Sequence, residues 1–305
     1  MPSRRQIREA AVQFLYCADL EGGANPSELR EPFWEFITES DRRRLQVATF
    51  RTAQHLAIGR EDRLAEFVDR QRKTNPVFAA YPEAEKLKLA LARIAKLESA
   101  WSTNFASLER LPKDDDDDTV AHRFGKALHD FFAIDRDLAG ERAAFILALQ
   151  DFPAIKGRLE AVTASIRRLQ RISDRLRTVE EPEKFPEQGD LRKIRESKAE
   201  INELREQADK LINSTLAHKP EIDAKLAEVI ENFAPERIDP VDRAILRLGS
   251  FELLHTNTPP KVVLNEAIEL AKRYGTTDSR RFVNGILDQI ATRAAKLEKS
   301  ENPDS

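Results

Sequence analysis

From Ile155 to Val179 the apolar residues Ile155, Leu159, Val162, Ile166, Leu169, Ile172, Leu176 and Val179 follow one another in steps of three and four. Steps of that size keep one face of a helix apolar over its whole length, and their mixture is a heptad seam. The same spacing recurs earlier, in Leu87, Leu91, Ile94, Leu97, Trp101, Phe105 and Leu108, and in Val120, Phe124, Leu128, Phe131, Ile134 and Leu138. Only 10 of the 305 residues are glycine, and Val, Ile and Thr nowhere cluster into the alternating runs that strands need. The chain therefore reads as all-α.

After the seam the Pro-containing stretch EEPEKFPEQGD leads into a second stripe, Leu191, Ile194, Ile201, Leu204, Ala208 and Leu211. Two stripes joined by a short turn predict an antiparallel helical hairpin, which either packs into a bundle core or projects as a coiled-coil arm. At the N-terminus Ile7, Ala11, Phe14, Leu15 and Ala18 form a helix stripe over residues 4–20 that Gly22-Gly23 stops, and a short helix follows from Leu29 to Thr38.

Composition narrows the function classes. A single cysteine, Cys17, rules out a disulfide framework and a thiolate zinc site, and suits a reducing, cytoplasmic setting. No apolar run approaches the roughly 18–20 residues of a membrane span, and no apolar segment follows the basic N-terminus as in a secretory signal. The nucleotide and zinc-protease motifs are missing. His122 and His129 share a helix face, but no third ligand stands near them in sequence, so no metal or cofactor is expected. The run Asp114–Asp118 reads as a solvated loop, since adjacent carboxylates repel. With a net charge of −3, any nucleic-acid binding has to come from a local patch.

Two such patches stand out. Arg4, Arg5 and Arg8 lie within a turn and a half, on the side away from the Ile7, Ala11, Phe14 stripe, where all three are expected to reach solvent and grip phosphates. Ordinary helix solubility explains them as well. The second is TTDSRRFVNG, Thr276 to Gly285. Gly275 closes the preceding helix in the C′ role, Asp278 or a neighbouring Thr caps the next, and Ser279, Arg280 and Arg281 occupy its first turn. Basic residues there oppose the helix dipole, so they make more sense as phosphate ligands than as helix stabilisers. Phe282 offers either a face for an unpaired base or a core contact beside Ile286. Farther back, Asp239, Pro240 and Asp242 stand at the N-cap, N1 and N3 positions of a helix whose stripe is Ala244, Leu248 and Phe251. Asp242 and Arg243 point away from that stripe.

The stretch from Ile238 to Ile290, IDPVDRAILRLGSFELLHTNTPPKVVLNEAIELAKRYGTTDSRRFVNGILDQI, resembles the C-terminal half of the NusB family, and RRQIREAAVQFLYCADL resembles its first helix. The resemblance covers about residues 3–38 and 195–292. It implies a helical core in two parts, 1–40 and 191–295, interrupted by a helical insert at 41–190 without family counterpart, with a disordered tail at 296–305. It also implies a non-enzymatic transcription antitermination factor that supports ribosomal-RNA transcription. Such a factor holds boxA-type single-stranded RNA, docks the small-subunit ribosomal protein NusE, and joins the RNA polymerase elongation complex. On this pattern Arg4, Arg5, Arg8, Glu266, Asp278, Ser279, Arg281 and Phe282 line the RNA site, with Phe282 stacking. Tyr16 and Asp242 belong to the partner surface. Gln6 replaces a frequent arginine, and Arg281 stands where lysine is common. Glu266 accepts from a base edge or else pairs with Lys272 or Arg273. Two other classes remain in view: an interaction scaffold that works through its insert, and an accessory of RNA modification.

Overall fold

The structure is a computed structural model, and it describes residues 1–20, 26–113, 118–230, 234 and 237–301. The Gly22-Gly23 stop and Asp114–Asp117 lie outside the described residues. Among the described residues there are helices and no strands. The chain divides into two compact units, residues 1–39 with 199–305 and residues 40–198. The second boundary falls inside one uninterrupted helix spanning Arg192–Ala217, so no turn or breaker in the sequence marks it.

The first unit is built from α1 (Arg4–Leu20), α2 (Pro26–Ile37), the later turns of α10 (Arg192–Ala217), α11 (Lys219–Val229), α12 (Pro240–His255), α13 (Pro260–Tyr274) and α14 (Ser279–Glu301). α14 carries helix into the stretch read as a disordered tail, as far as Glu301; residues 302–305 are outside the described set. α12 is the central element and packs against α1, α11, α13 and α14. Its start follows the sequence signals: Asp239 accepts the Val241 N–H at 2.9 Å, with Pro240 at the first helical position.

The expected single stripe on α12 does not hold. Every residue from Asp242 to Glu252 is buried. A helix with neighbours on all sides has no solvent face, so its charged residues must be paired inside. Arg243 and Arg247 both reach Asp19 of α1, and Arg247 also grips Asp223 through two bonds of 2.8 and 2.9 Å. Burial disfavours the Asp19 carboxylate, but the two guanidiniums outweigh it and hold its pKa below the usual range. A side chain on Gly249 would meet Leu287 at 2.6 Å, so glycine there sets the close approach of α12 and α14.

The second unit contains α3 (Glu39–Leu56), α4 (Arg60–Arg72), α5 (Asn75–Ala80), α6 (Glu85–Arg110), α7 (Asp118–Ala148), α8 (Pro153–Lys156) and α9 (Glu160–Glu180). All eight seam residues from Ile155 to Val179 are buried, in one cluster with Phe50, Phe67, Trp101 and Phe131. The seam is thus core and not a projecting arm. Its main partners are α4 and α7, while α10 meets it at its C-terminal end, where Lys198 donates to the Glu180 carbonyl at 3.1 Å. On α6 Leu97 of the stripe is half-buried against this core, and Glu98 beside it is 1% exposed. Its partners are Arg60 and Arg142.

Candidate nucleic-acid interface

The first turns of α1 separate the three arginines that the sequence groups together. Arg4 and Arg5 are exposed. Arg8 is 6% exposed and turns inward, where its Nε and Nη2 donate to the Glu252 carboxylate at 2.8–3.1 Å. The expectation that all three reach solvent is corrected for Arg8. The cause is geometric: α1 packs against both α2 and α12, so its buried face is wider than the Ile7, Ala11, Phe14 stripe and takes in position 8. Burial opposes the Arg8 charge, yet the bonds and charge of Glu252 prevail and raise its pKa. Glu252 is the residue that sequence reasoning missed. Its only signal was a second acid, after Asp242, in a helix rich in apolar residues.

Arg5 meets another candidate. Its Nε and Nη2 donate to the two carboxylate oxygens of Glu266 on α13 at 3.2 and 3.1 Å. Neither Lys272 nor Arg273 pairs with Glu266; Lys272 bonds Glu269 and Arg273 bonds Glu9 at 2.6 Å. One helical turn farther along α1, the Gln13 amide donates to the Tyr274 hydroxyl at 3.3 Å. Residues 5, 9 and 13 therefore form a polar seam between α1 and α13, as a step of four on one helix face requires. Arg5 is half-exposed and its pair with Glu266 is a surface one, worth little to stability. It can open toward a ligand.

The turn before α14 is built around Gly275. Its φ of −92° and ψ of −174° are extended, not left-handed, so the C′ reading is corrected as to cause. What requires glycine is space. A Cβ there would lie 2.5 Å from the Ser279 Cβ, 2.6 Å from its Oγ and 2.8 Å from the Ala271 carbonyl oxygen. Gly275→Ala is expected to lower stability by about 1–3 kcal/mol, the usual range for forced overpacking. A urea melt with an unchanged midpoint would show that the turn absorbs the methyl freely.

Ser279 is 1% exposed, and its Oγ accepts the Thr276 N–H at 2.8 Å. It also stands beside Asp242, whose carboxyl is raised above the ordinary range by burial, with Ser279 pulling it down and Asp239 adding to the rise. Asp242 is 6% exposed, so neither Ser279 nor Asp242 presents its side chain at the surface in this structure. Both are corrected from surface residues to internal supports of the turn. The amides of Ser279, Arg281 and Phe282 bond to the Thr276 and Asp278 carbonyls, which leaves anion attraction at this helix start mainly to the guanidiniums.

Asp278, Arg280 and Arg281 are exposed, and Phe282 is half-buried against the edge of the first unit's core. Tyr16 is likewise half-buried on α1. Among the described residues no hydrogen bond or ion pair joins the Arg5–Glu266 pair to the start of α14. The second unit has a cationic feature of its own, which its near-balanced composition hid. A cavity of about 640 Å³ is lined by Arg43, Arg44, Arg51, His55, Lys113 and Lys193, with Asp190 in its wall.

Comparison with known proteins places the sequence. The NusB family profile matches residues 162–292. The Transcription antitermination protein NusB of a Nitratiruptor species is 45% identical over 98 residues, which are 32% of this chain and 70% of that protein. Its namesake from Macrococcus caseolyticus is 41% identical over 88 residues, 29% of this chain and 68% of that one. A solved structure of T. maritima NusB has 38% sequence identity and a TM-score of 0.30, over 35% of this chain and 81% of its own. The profile match begins within α9 and leaves the α1 stretch outside it.

Proposed function

The chain belongs to the NusB family, and we propose on that footing that it is a transcription antitermination factor acting by binding and not by catalysis. Its ligand is single-stranded, boxA-type RNA. The observation that carries this reading is the start of α14, where a half-buried aromatic, Phe282, follows directly on two exposed arginines. An unpaired base needs an aromatic face and its phosphates need nearby cations, and this turn offers both. Arg4 and Arg5 add phosphate contacts, and Glu266, released from Arg5, accepts from a base edge. Asp278, just before α14, is exposed as well and belongs to the same site in this reading. Arg8, Ser279 and Asp242 support the site from inside.

A ribosomal protein of the NusE kind docks on a neighbouring face that includes Tyr16, and the assembly then joins the RNA polymerase elongation complex. Asp242 contributes to that face only through the helix start it shapes. No described helix is long and apolar enough to cross a membrane.

Salt dependence tests the phosphate grip. Each single-strand phosphate contact contributes about 0.7 to the slope of log affinity against log salt. The variant Arg4→Ala, Arg5→Ala, Arg281→Ala should therefore bind single-stranded RNA more weakly, with a slope shallower by about 2. Arg8→Ala should behave differently, leaving the slope unchanged while lowering stability. An unaltered slope in the triple variant would remove these arginines from the interface.

A further inference from the structure

Two histidines that lie 37 positions apart in sequence meet on the first unit. His218 immediately precedes α11 and His255 ends α12, and their rings stand 4.1 Å apart between centroids. Glu221, in the first turn of α11, places a carboxylate oxygen 3.4 Å from the Nε2 of His255. One donor atom from each of the three residues lies within 4.8 Å of the others. We propose that His218, Glu221 and His255 form a site for a divalent transition-metal ion of the zinc class.

The donor set selects the ion. Two imidazoles and one carboxylate suit zinc and its neighbours, whereas magnesium and calcium take oxygen ligands. The His218 ring is already oriented for the task. Its Nδ1 lies 2.8 Å from the Ser214 carbonyl oxygen, to which it donates, so the neutral ring carries its lone pair on Nε2. A backbone carbonyl holding the remote ring nitrogen is the arrangement that fixes a metal-binding histidine. Phe251, 6% exposed, packs against both rings, 5.5 Å from His218 and 5.6 Å from His255, and gives the pair an apolar floor.

The position suits a cation as well. His255 stands in the last turn of α12, where the helix dipole is negative. Tetrahedral zinc with bonds of roughly 2.0–2.1 Å needs donor atoms roughly 3.4 Å apart. The Glu221 side chain is exposed and can make this closure by rotation, with a small adjustment of the His255 ring. Three protein ligands leave a position for water. The ion would tie the start of α11 to the end of α12.

The test uses the full chain after chelation and dialysis, titrated with zinc chloride alone. The expected result is one equivalent bound per chain and a melting temperature that rises with zinc concentration, since a ligand held only by the folded state stabilises it. His218→Ala and His255→Ala should each weaken binding at least tenfold and abolish the thermal shift, while Cys17→Ser changes neither. Should a histidine variant fail to fold, X-ray absorption on the zinc-loaded unmodified protein decides, through two imidazole shells with an oxygen donor and no sulfur. Absence of stoichiometric binding, binding indifferent to both histidines, or sulfur in the zinc shell would each overturn the site.

Discussion

Glu98→Gln is expected to cost about 3–5 kcal/mol, the usual consequence of breaking a buried ion pair from one side. The carboxylate is 1% exposed and is shared by two arginines. Arg142, 0% exposed, donates its Nε to Glu98 at 3.0 Å and also bonds the Ser173 hydroxyl at 2.9 Å. Arg60 reaches the other oxygen, lies 3.5 Å over the Trp101 ring, and is lowered to about 10, with burial as the main cause. Asp135, also 1% exposed, accepts from the Trp101 indole at 2.7 Å and from Ser173 at 2.8 Å. A glutamine keeps the shape, but it removes one of two anions that neutralise two desolvated guanidiniums and turns an amide toward one of them.

For a unit of this size such a loss corresponds to a melting point lower by roughly 6–20 °C. Thermal denaturation followed by circular dichroism reads it directly. Replacing Arg60, Glu98, Asp135 and Arg142 together with apolar residues of similar volume should cost less per residue changed than Glu98→Gln alone, because no charge is then stranded. A single variant that melts like the parent would mean that water reaches the network and that it is not a buried one.

The residues that sequence reading placed correctly are those whose surroundings are local. Helix periodicity reports on turns three and four residues apart, so the apolar seam of α9 was legible, and so was the Asp239 cap, whose partner is two residues away. Glu98 was not legible. Its cations come from 38 positions before and 44 after, and nothing at Glu98 itself announces them. The stripe reading therefore keeps Leu97, which does pack against the core, and passes over the acid beside it. Arg8 failed for the same reason, its acid being 244 residues distant. In α12 Asp242 and Arg243 read as pointing away from the apolar stripe, whereas a central helix buries both, together with Arg247 and Glu252. At the candidate site Arg4, Arg5, Asp278 and Arg281 are exposed and Phe282 is half-buried. Ser279 is buried, because the space beside Gly275 draws its hydroxyl into the turn.

Phe282 carries the central claim that an unpaired base is held at the start of α14. Stacking contributes roughly 1–3 kcal/mol per base, so Phe282→Ala should weaken single-stranded RNA binding about ten- to a hundred-fold. Its ring is half-buried at the edge of the core, and truncation should thus lower the melting temperature only slightly, far less than the 3–5 kcal/mol typical of a fully buried phenylalanine. Phe282→Trp should retain most of the affinity, since any flat aromatic face serves. The deciding measurement is the titration of single-stranded RNA against the intact chain and these two variants at one salt concentration, with melts of all three. The expected result is binding lost in the alanine variant, kept in the tryptophan variant, and little change in the melts. An alanine variant that melts early yet, when folded, binds RNA like the parent would contradict it.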